Sequence, residues 1–345
     1  LPTPPDSILL TVSGQRYTGW EGLSITRFLD EVSSIAFSTS WDPSNRALAQ
    51  LFVPLARQEI EVDTGRGERL LTGLITAGAP TADTESRMLP LGGFGLPGLL
   101  DLTRLNDTEF NKVKLDEVAR KIAQSAGDIP IDFRADPGAV FEQAKLEHNK
   151  SPWSFLVDLA RPRGVLLADS PAGQLLAWQA ESGEPVMELE EGKAPCGEVS
   201  VTLGSDWHAE IVGYAGAKRG RTGSSHREKN PFFVGSYPTT HEYEESDTKP
   251  ADLPRAVKAK LGRMLGSAIS WTVTLPGLRD PSGALFAPNT IVRLLHPSTF
   301  LYRATDLLVR AVTYEISGET LSSTLTLVLP GSYSGVLPEA MPWAV

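Results

Sequence analysis

Short runs with strand-like alternation crowd both ends of this chain, whereas helical periodicity is concentrated nearer its middle. That distribution constrains the fold more than any single motif does. A run of period two covers one face of a sheet, and a run of period 3.6 covers one stripe of a helix. On the N-terminal side, Ile8 to Val12, Leu23 to Leu29, Val32 to Trp41 and Glu59 to Val62 read as strands. Thr64-Gly65-Arg66-Gly67 reads as a hairpin tip and Leu70 to Thr76 as the returning strand. On the C-terminal side the strands are Glu198 to Leu203, His208 to Gly213, Ile269 to Leu275, Thr290 to Leu295, Asp306 to Ile316 and Thr320 to Leu329. Ser317, Gly318 and Glu319 form the tightest turn there, and 31 glycines with 26 prolines suit many such turns.

Between these ends the period changes. Leu115, Val118, Ala119, Ile122 and Ala126 fall at helical spacing, with Gly127 where a helix stops. A second helix is marked by Ser151 as cap and Pro152 at the first helical position. Its apolar face is Phe155, Leu156, Leu159 and Ala160, and it ends at Gly164. Val165 to Ala168, a turn through Asp169 to Gly173, and Gln174 to Trp178 then form a strand, turn, strand unit. A third helix is expected at 252–267, with Asp252 as cap and Val257, Leu261, Met264 and Leu265 on its buried side. The fold class expected is therefore α+β, mainly β. Two β-barrel-like domains, 1–101 and 196–345, flank a small α+β domain at 102–195, and the acidic stretch from Glu188 to Gly192 marks the second boundary.

A chain of 345 residues exceeds one ordinary core. Its charge, 32 Lys plus Arg against 42 Asp plus Glu, is −10, which disfavours a protein whose main work is gripping nucleic acid and equally suits a solubilising surface. One cysteine, Cys196, precludes an internal disulfide framework, and synthesis in a reducing cytoplasm is expected. No stretch approaches the roughly 18 apolar residues that span a bilayer, and the start, LPTPPDS, lacks signal-peptide character, so no membrane insertion is expected.

Candidate chemistry is sparse. Gly93-Phe94-Gly95-Leu96-Pro97-Gly98 matches the glycine pattern of dinucleotide-binding loops, but Pro97 and the β-rich surroundings favour a glycine-rich link out of the first domain. His148, His208, His226, His241 and His296 include no pair at i, i+4, which argues against zinc. His241 with Glu242, Glu244 and Glu245 offers donors for a hard cation, although a solvated loop is favoured. Acidic pairs such as Glu188 with Glu190, or Glu244 with Glu245, have the residue types of glycoside cleavage, but sequence gives no separation. Lys218, Arg219, Arg221, Arg227 and Lys229 make the 215–230 segment a flexible basic surface loop or a phosphate contact, without interleaved aromatics to stack on bases. No catalytic, cofactor-binding or metal-ligating residue is assigned, and no cofactor is expected. Trp41-Asp42-Pro43-Ser44 echoes Arg279-Asp280-Pro281-Ser282, so an internal repeat and chance both stand.

Four passages carry a resemblance. The first is Ile8 to Leu29, with Gly14 and Trp20 before a strand that ends in Asp30. The second is Glu68-Arg69-Leu70-Leu71-Thr72-Gly73. The third runs from Ser151-Pro152-Trp153-Ser154-Phe155-Leu156 through Arg163-Gly164-Val165-Leu166-Leu167 to Gly173-Gln174-Leu175. The fourth joins Arg255-Ala256, Trp271-Thr272-Val273-Thr274 and Gly277-Leu278-Arg279-Asp280 to Gly283-Ala284-Leu285-Phe286-Ala287-Pro288-Asn289. With these the chain resembles the tail protein P family of Mu-like bacteriophages, the hub of a contractile-tail baseplate. It departs from that family in the apolar run Leu89 to Leu100 and in the basic 215–230 loop.

The resemblance implies a structural protein, not an enzyme. It would form a homotrimer whose two barrel-like domains per chain make a pseudo-sixfold ring, joining the tail tube to the central spike. The implied partners are tail tube, spike and baseplate wedge proteins, with phage DNA passing through the bore without specific binding. The implied place is the virion, after synthesis in the host cytoplasm. Other readings are a hub related to secretion-system spikes, a cell-wall hydrolase and a carbohydrate-binding module.

Overall fold

The computed structural model describes residues 7–83, 86–105, 108–215, 223–245, 250, 252–318 and 320–344. Strands from both ends of the chain join one 14-stranded sheet. Its main path runs Val199–Leu203, Ile269–Pro276, Thr320–Val328, Leu301–Ser317, Trp20–Phe28, Ser34–Ser40, Arg87–Gly95, Arg69–Gly78, Glu59–Thr64, Ile8–Val12 and Gln15–Tyr17. The seam between the halves is the antiparallel pairing of Leu301–Ser317 with Trp20–Phe28, in register from Ala311 opposite Phe28 to Ser317 opposite Gly22. Among the described residues this path is open at both ends, so the hydrogen bonding of neither half closes into a barrel.

Alternation works as the sequence suggests. Leu10, Val12, Ile60 and Val62 point inward from one half, and Trp271, Val273, Leu325 and Leu327 from the other, into one continuous apolar cluster. Two large polar-tipped side chains are buried there with their heads satisfied, as burial demands. Trp271 Nε1 donates to the Thr299 carbonyl at 2.9 Å, and the Tyr314 hydroxyl donates to the Phe286 carbonyl.

The glycine run departs from the expectation of a link. Gly92, Gly93 and Gly95 lie within the strand Arg87–Gly95, which is hydrogen-bonded antiparallel on both flanks, to Ser34–Ser40 and to Arg69–Gly78. A Cβ on Gly93 would lie 2.1 Å from the Leu74 carbonyl oxygen, and one on Gly73 would lie 2.2 Å from that of Phe94. Glycine is needed here for close backbone approach across a ladder and not for a phosphate. Only after Gly95 does the chain turn, through a 3-10 turn Leu96–Gly98 into the short helix Leu99–Leu102.

The middle segment has its own core, built by the helices Leu115–Ser125 and Pro152–Ala160 on a small three-stranded sheet and an antiparallel pair of strands, Glu109–Val113 with Phe141–Lys145. Ser151 Oγ accepts from the Ser154 amide at 3.1 Å, Pro152 occupies the first turn, and Gly164 takes the left-handed conformation after the helix. Leu166–Asp169 and Leu175–Trp178 form the expected antiparallel unit, to which Ile131–Phe133 adds in parallel. The acidic stretch read as a boundary contains a strand, Met187–Glu190, which pairs in parallel with Ile291–His296 of the large sheet.

A third layer forms a small unit of its own. Glu210–Ala215 lies between Ser224–Lys229, antiparallel, and Thr240–Glu245, parallel. The helix Leu253–Ala268 covers it, with Val257, Leu261 and Met264 packed on Ile211. Asp252 stands at the N-cap position of that helix but makes no side-chain cap hydrogen bond, a correction to the expected cap. Of the basic segment, Arg227 and Lys229 lie in the strand Ser224–Lys229, whereas Lys218, Arg219 and Arg221 lie outside the described residues. Glu319 of the expected turn also lies outside them.

Candidate functional site

The two Asp-Pro-Ser turns share their aspartate-to-serine hydrogen bonds, and Asp280 accepts one more from the Ala284 amide at 3.0 Å. Asp42 Oδ1 accepts from the Ser44 amide at 2.9 Å and the Ser44 hydroxyl at 2.7 Å. Asp280 Oδ1 accepts from the Ser282 amide at 2.9 Å and the Ser282 hydroxyl at 2.6 Å. These are Asx turns, in which a short carboxylate takes the place of a backbone acceptor. The Ser44 hydrogen bonds hold the Asp42 carboxyl below its ordinary range.

The second turn also clasps the first half. Arg279, its side chain 11% exposed, reaches the Glu68 carboxylate beside the hairpin tip, with Nη1 to Oε1 at 3.0 Å and Nη2 paired to Oε2. This fork lowers the Glu68 pKa, with help from the Thr64 hydroxyl. A planar guanidinium suits such two-point contact better than an ammonium does.

The middle segment is fastened to both halves by buried polar contacts. Asp169 is buried and accepts the Ser33 amide at 2.6 Å, beside Gly95, where any Cβ would sit 2.1 Å from its Oδ2. Burial pushes its carboxyl pKa up, and the Ser33 hydrogen bond opposes that rise. Trp178 Nε1 donates to the Leu29 carbonyl at 2.9 Å. Asn289, at φ +66, donates to the Gln179 carbonyl at 2.9 Å and accepts from the Glu181 amide at 2.8 Å. On the far side Tyr333 donates to Asp30 at 3.1 Å, and burial raises its phenol pKa.

One of the two acidic pairs with the residue types of glycoside cleavage, Glu188 with Glu190, is engaged in ion pairs. Glu188 faces Arg293 at 3.1 Å and Glu190 faces Lys193 at 2.7 Å. Cys196 is half-buried, and burial, with the nearby Glu191 charge, pushes its thiol pKa up. The histidines are less scattered in space than in sequence. His208 and His241 come together with ring centroids 5.3 Å apart, while His226 faces Glu228 and His296 faces Thr299. The rule of helical spacing missed this pair, because parallel strand pairing sets Ile211 opposite His241 and so brings His208 nearby.

Large apolar side chains also stand out to solvent. Leu55 and Val234 are each 95% exposed and Tyr237 88%, with Leu203 on the terminal strand of the large sheet at 61%. Leu55 borders an apolar cavity of about 330 Å³ lined by Phe52, Ile75, Leu89 and Leu91. Exposed apolar groups and an open sheet edge are features that assembly covers.

Comparison with known proteins agrees with this architecture. Residues 99–179 match the family model for the second domain of gp44-like baseplate hub proteins, and residues 253–336 match the fourth domain of the Mu phage baseplate assembly protein GpP. Baseplate hub protein gp44 of Escherichia phage Mu is 22% identical over 349 residues, covering 94% of this chain and 88% of that protein. Among solved structures, the 43 kDa tail protein of prophage MuSo2 from Shewanella oneidensis superposes with a TM-score of 0.81 at 21% identity, covering 94% of this chain and 99% of that one. A component of the E. coli type VI secretion system, itself described as similar to T4 tail proteins gp27 and gp5, gives a TM-score of 0.56 at 13% identity over 93% of this chain and 76% of that one. Through these matches the resemblance first read from its motifs is established: the chain carries domain signatures of the Mu-like baseplate hub tail proteins.

Proposed function

We propose that this chain is a structural subunit of the baseplate hub of a contractile phage tail, acting as one third of a ring. Its domains are the barrel-like 1–101, the α+β 102–195 and the barrel-like 196–345. Three copies then offer six comparable β modules, which match a sixfold tail tube on one face and a threefold spike on the other. Head-to-tail contacts of this kind close into a ring when their rotation closes.

The observation that carries the reading is the pairing of two strand-rich halves in one chain. They are hydrogen-bonded edge to edge along Trp20–Phe28 and Leu301–Ser317, and each has an Asp-Pro-Ser turn with the same aspartate-to-serine hydrogen bonds. The exposed Leu55, Val234 and Tyr237 supply apolar surface for neighbouring subunits, tube, spike or wedge proteins. The net charge of −10 suits a bore through which DNA passes without adhering, and this role places the protein in the virion after synthesis in the host cytoplasm. The role requires no catalysis, in keeping with the ion-paired Glu188 and Glu190.

Light scattering tests the copy number. A species of three times the chain mass, alone or with tube and spike proteins added, is expected. A chain that stays monomeric with both partners present overturns the reading. The likeness to a type VI component keeps a second reading, a hub of a contractile secretion system. Spike and toxin genes beside this one, without capsid genes, would favour it.

A further inference from the structure

A cavity of about 250 Å³ opens between the helix Leu253–Ala268, the small mixed sheet beneath it and the seam of the large one. Among the described residues only one group of potential ligands meets there. Asp206, His208 and His241 present donor atoms that all lie within 4.8 Å of one another. We propose that these three side chains form a binding site for one divalent transition-metal ion, zinc foremost, which ties the segment before Glu210–Ala215 to the strand Thr240–Glu245. This goes beyond the hub reading and does not depend on it.

The site is held ready from several directions. The His208 amide donates to Met264 Sδ at 3.4 Å, and its carbonyl accepts from Asn230 Nδ2 at 3.0 Å, so its backbone is fixed on both sides. Its ring is also oriented, with Nδ1 2.9 Å from Thr239 Oγ1 and Nε2 2.9 Å from Asp206 Oδ1. Because the Asp206 carboxylate can only accept, Nε2 donates to it and Nδ1 accepts from the Thr239 hydroxyl. An ion bound at Nε2 takes the place of that proton, and the Thr239 hydroxyl can then accept an Nδ1–H, the outer-shell arrangement that metal-ligating histidines use. His241 faces the same space from the neighbouring strand, across the alignment of Thr239 with Ala209 at 2.9 Å. Ligands about 2.0–2.1 Å from zinc stand roughly 3.3 Å apart in a tetrahedron, so the Asp206 carboxylate, with a side chain 60% exposed, has only a short swing to make.

The cavity wall selects the kind of ion. Arg161, Lys260, Arg263 and Arg310 line it with Asp30 as the other carboxylate, and Lys260 Nζ sits 5.7 Å from the Tyr243 ring centroid. Those cations oppose any dication, so an ion must be held by direct donation, and magnesium, which needs several oxygen ligands, finds two carboxylates among the lining residues. Two imidazoles with one carboxylate hold zinc, cobalt or nickel by nitrogen donation, and the surrounding cations favour an anionic fourth ligand from solvent.

The full-length protein, stripped with chelator, is titrated with zinc chloride by calorimetry and with cobalt chloride by visible absorption. One equivalent of zinc, a rise in Tm, and cobalt d–d bands of tetrahedral intensity are expected. Magnesium should give neither heat nor stabilisation. His241→Ala and, because it is exposed and tolerant of change, Asp206→Asn should each weaken zinc binding by more than about tenfold, the lower bound set by loss of an outer-shell partner alone. His226→Ala should change nothing. Absence of zinc binding, zinc binding by His241→Ala or Asp206→Asn as tight as the parent's, or loss on His226→Ala would overturn the proposal.

Discussion

The two halves of the large sheet solve the same packing problem by opposite means. In the N-terminal half, Gly73 and Gly93 let neighbouring backbones approach until no Cβ fits between them. In the C-terminal half, Trp271 and Tyr314 fill the interior with bulk and anchor their polar tips to the Thr299 and Phe286 carbonyls. One half gains order by removing side chains, the other by burying aromatic ones with their hydrogen bonds intact. The first tolerates no addition and the second tolerates no deletion of a polar tip.

The largest effect should come from addition. Gly93→Val places its Cβ against the Leu74 carbonyl, a backbone group that cannot step aside, and should cost more than about 4 kcal/mol, read as loss of soluble folded protein. Deletion in the other half should be milder. Tyr314→Phe leaves the Phe286 carbonyl without its donor in a buried place and should cost about 1–3 kcal/mol in urea denaturation with an unchanged m-value. If Tyr314→Phe proves as damaging as Gly93→Val, the contrast between the halves is wrong.

The clasp between them should matter less. Arg279→Ala removes the fork onto Glu68, whose exposed side reduces its worth to about 1 kcal/mol, and the loss should shrink as salt is raised. The smallest comparison sharpens the repeat. Asp42→Ala and Asp280→Ala both remove the serine amide and hydroxyl bonds, but Asp280→Ala also frees the Ala284 amide, so it should lower Tm somewhat more than Asp42→Ala does.

Asp169 adds a pH signature where the middle segment meets the N-terminal half. Burial raises its folded pKa above the unfolded value, so the folded chain holds that proton more tightly. Its contribution to stability is then full below the unfolded carboxyl pKa of about 3.9 and is lost as pH rises through the folded value. Asp169→Asn keeps an oxygen for the Ser33 amide but cannot ionise. Its stability relative to the parent should therefore rise from pH 4 to pH 8 in thermal melts. A constant difference across that range would remove the titration from this contact.

Local signals were legible where a single residue carries a local function. Ser151, Pro152 and Gly164 mark their helix because a cap, a fixed φ and a left-handed turn each act within one turn. The Asp42 and Asp280 turns were visible as an echo for the same reason. The strand Met187–Glu190 reads in sequence as a charged boundary, because Met187 and Leu189 face inward while Glu188 projects outward and Glu190 is half-buried, and four residues give too short a period to recognise. The glycine run looked like a link, because glycine signals a turn unless the partner backbone is known. The seam and the His208–His241 pairing depend on which distant strands meet, and no local periodicity carries that choice.

The central claim is that the two halves of each chain are comparable modules that alternate around one bore. A cryo-electron microscopy reconstruction of the assembled baseplate tests it directly. Three copies with both halves facing the channel, Trp20–Phe28 and Leu301–Ser317 continuous within each, are predicted. A ring lined by only one half of each chain, or built from a copy number other than three, would contradict it.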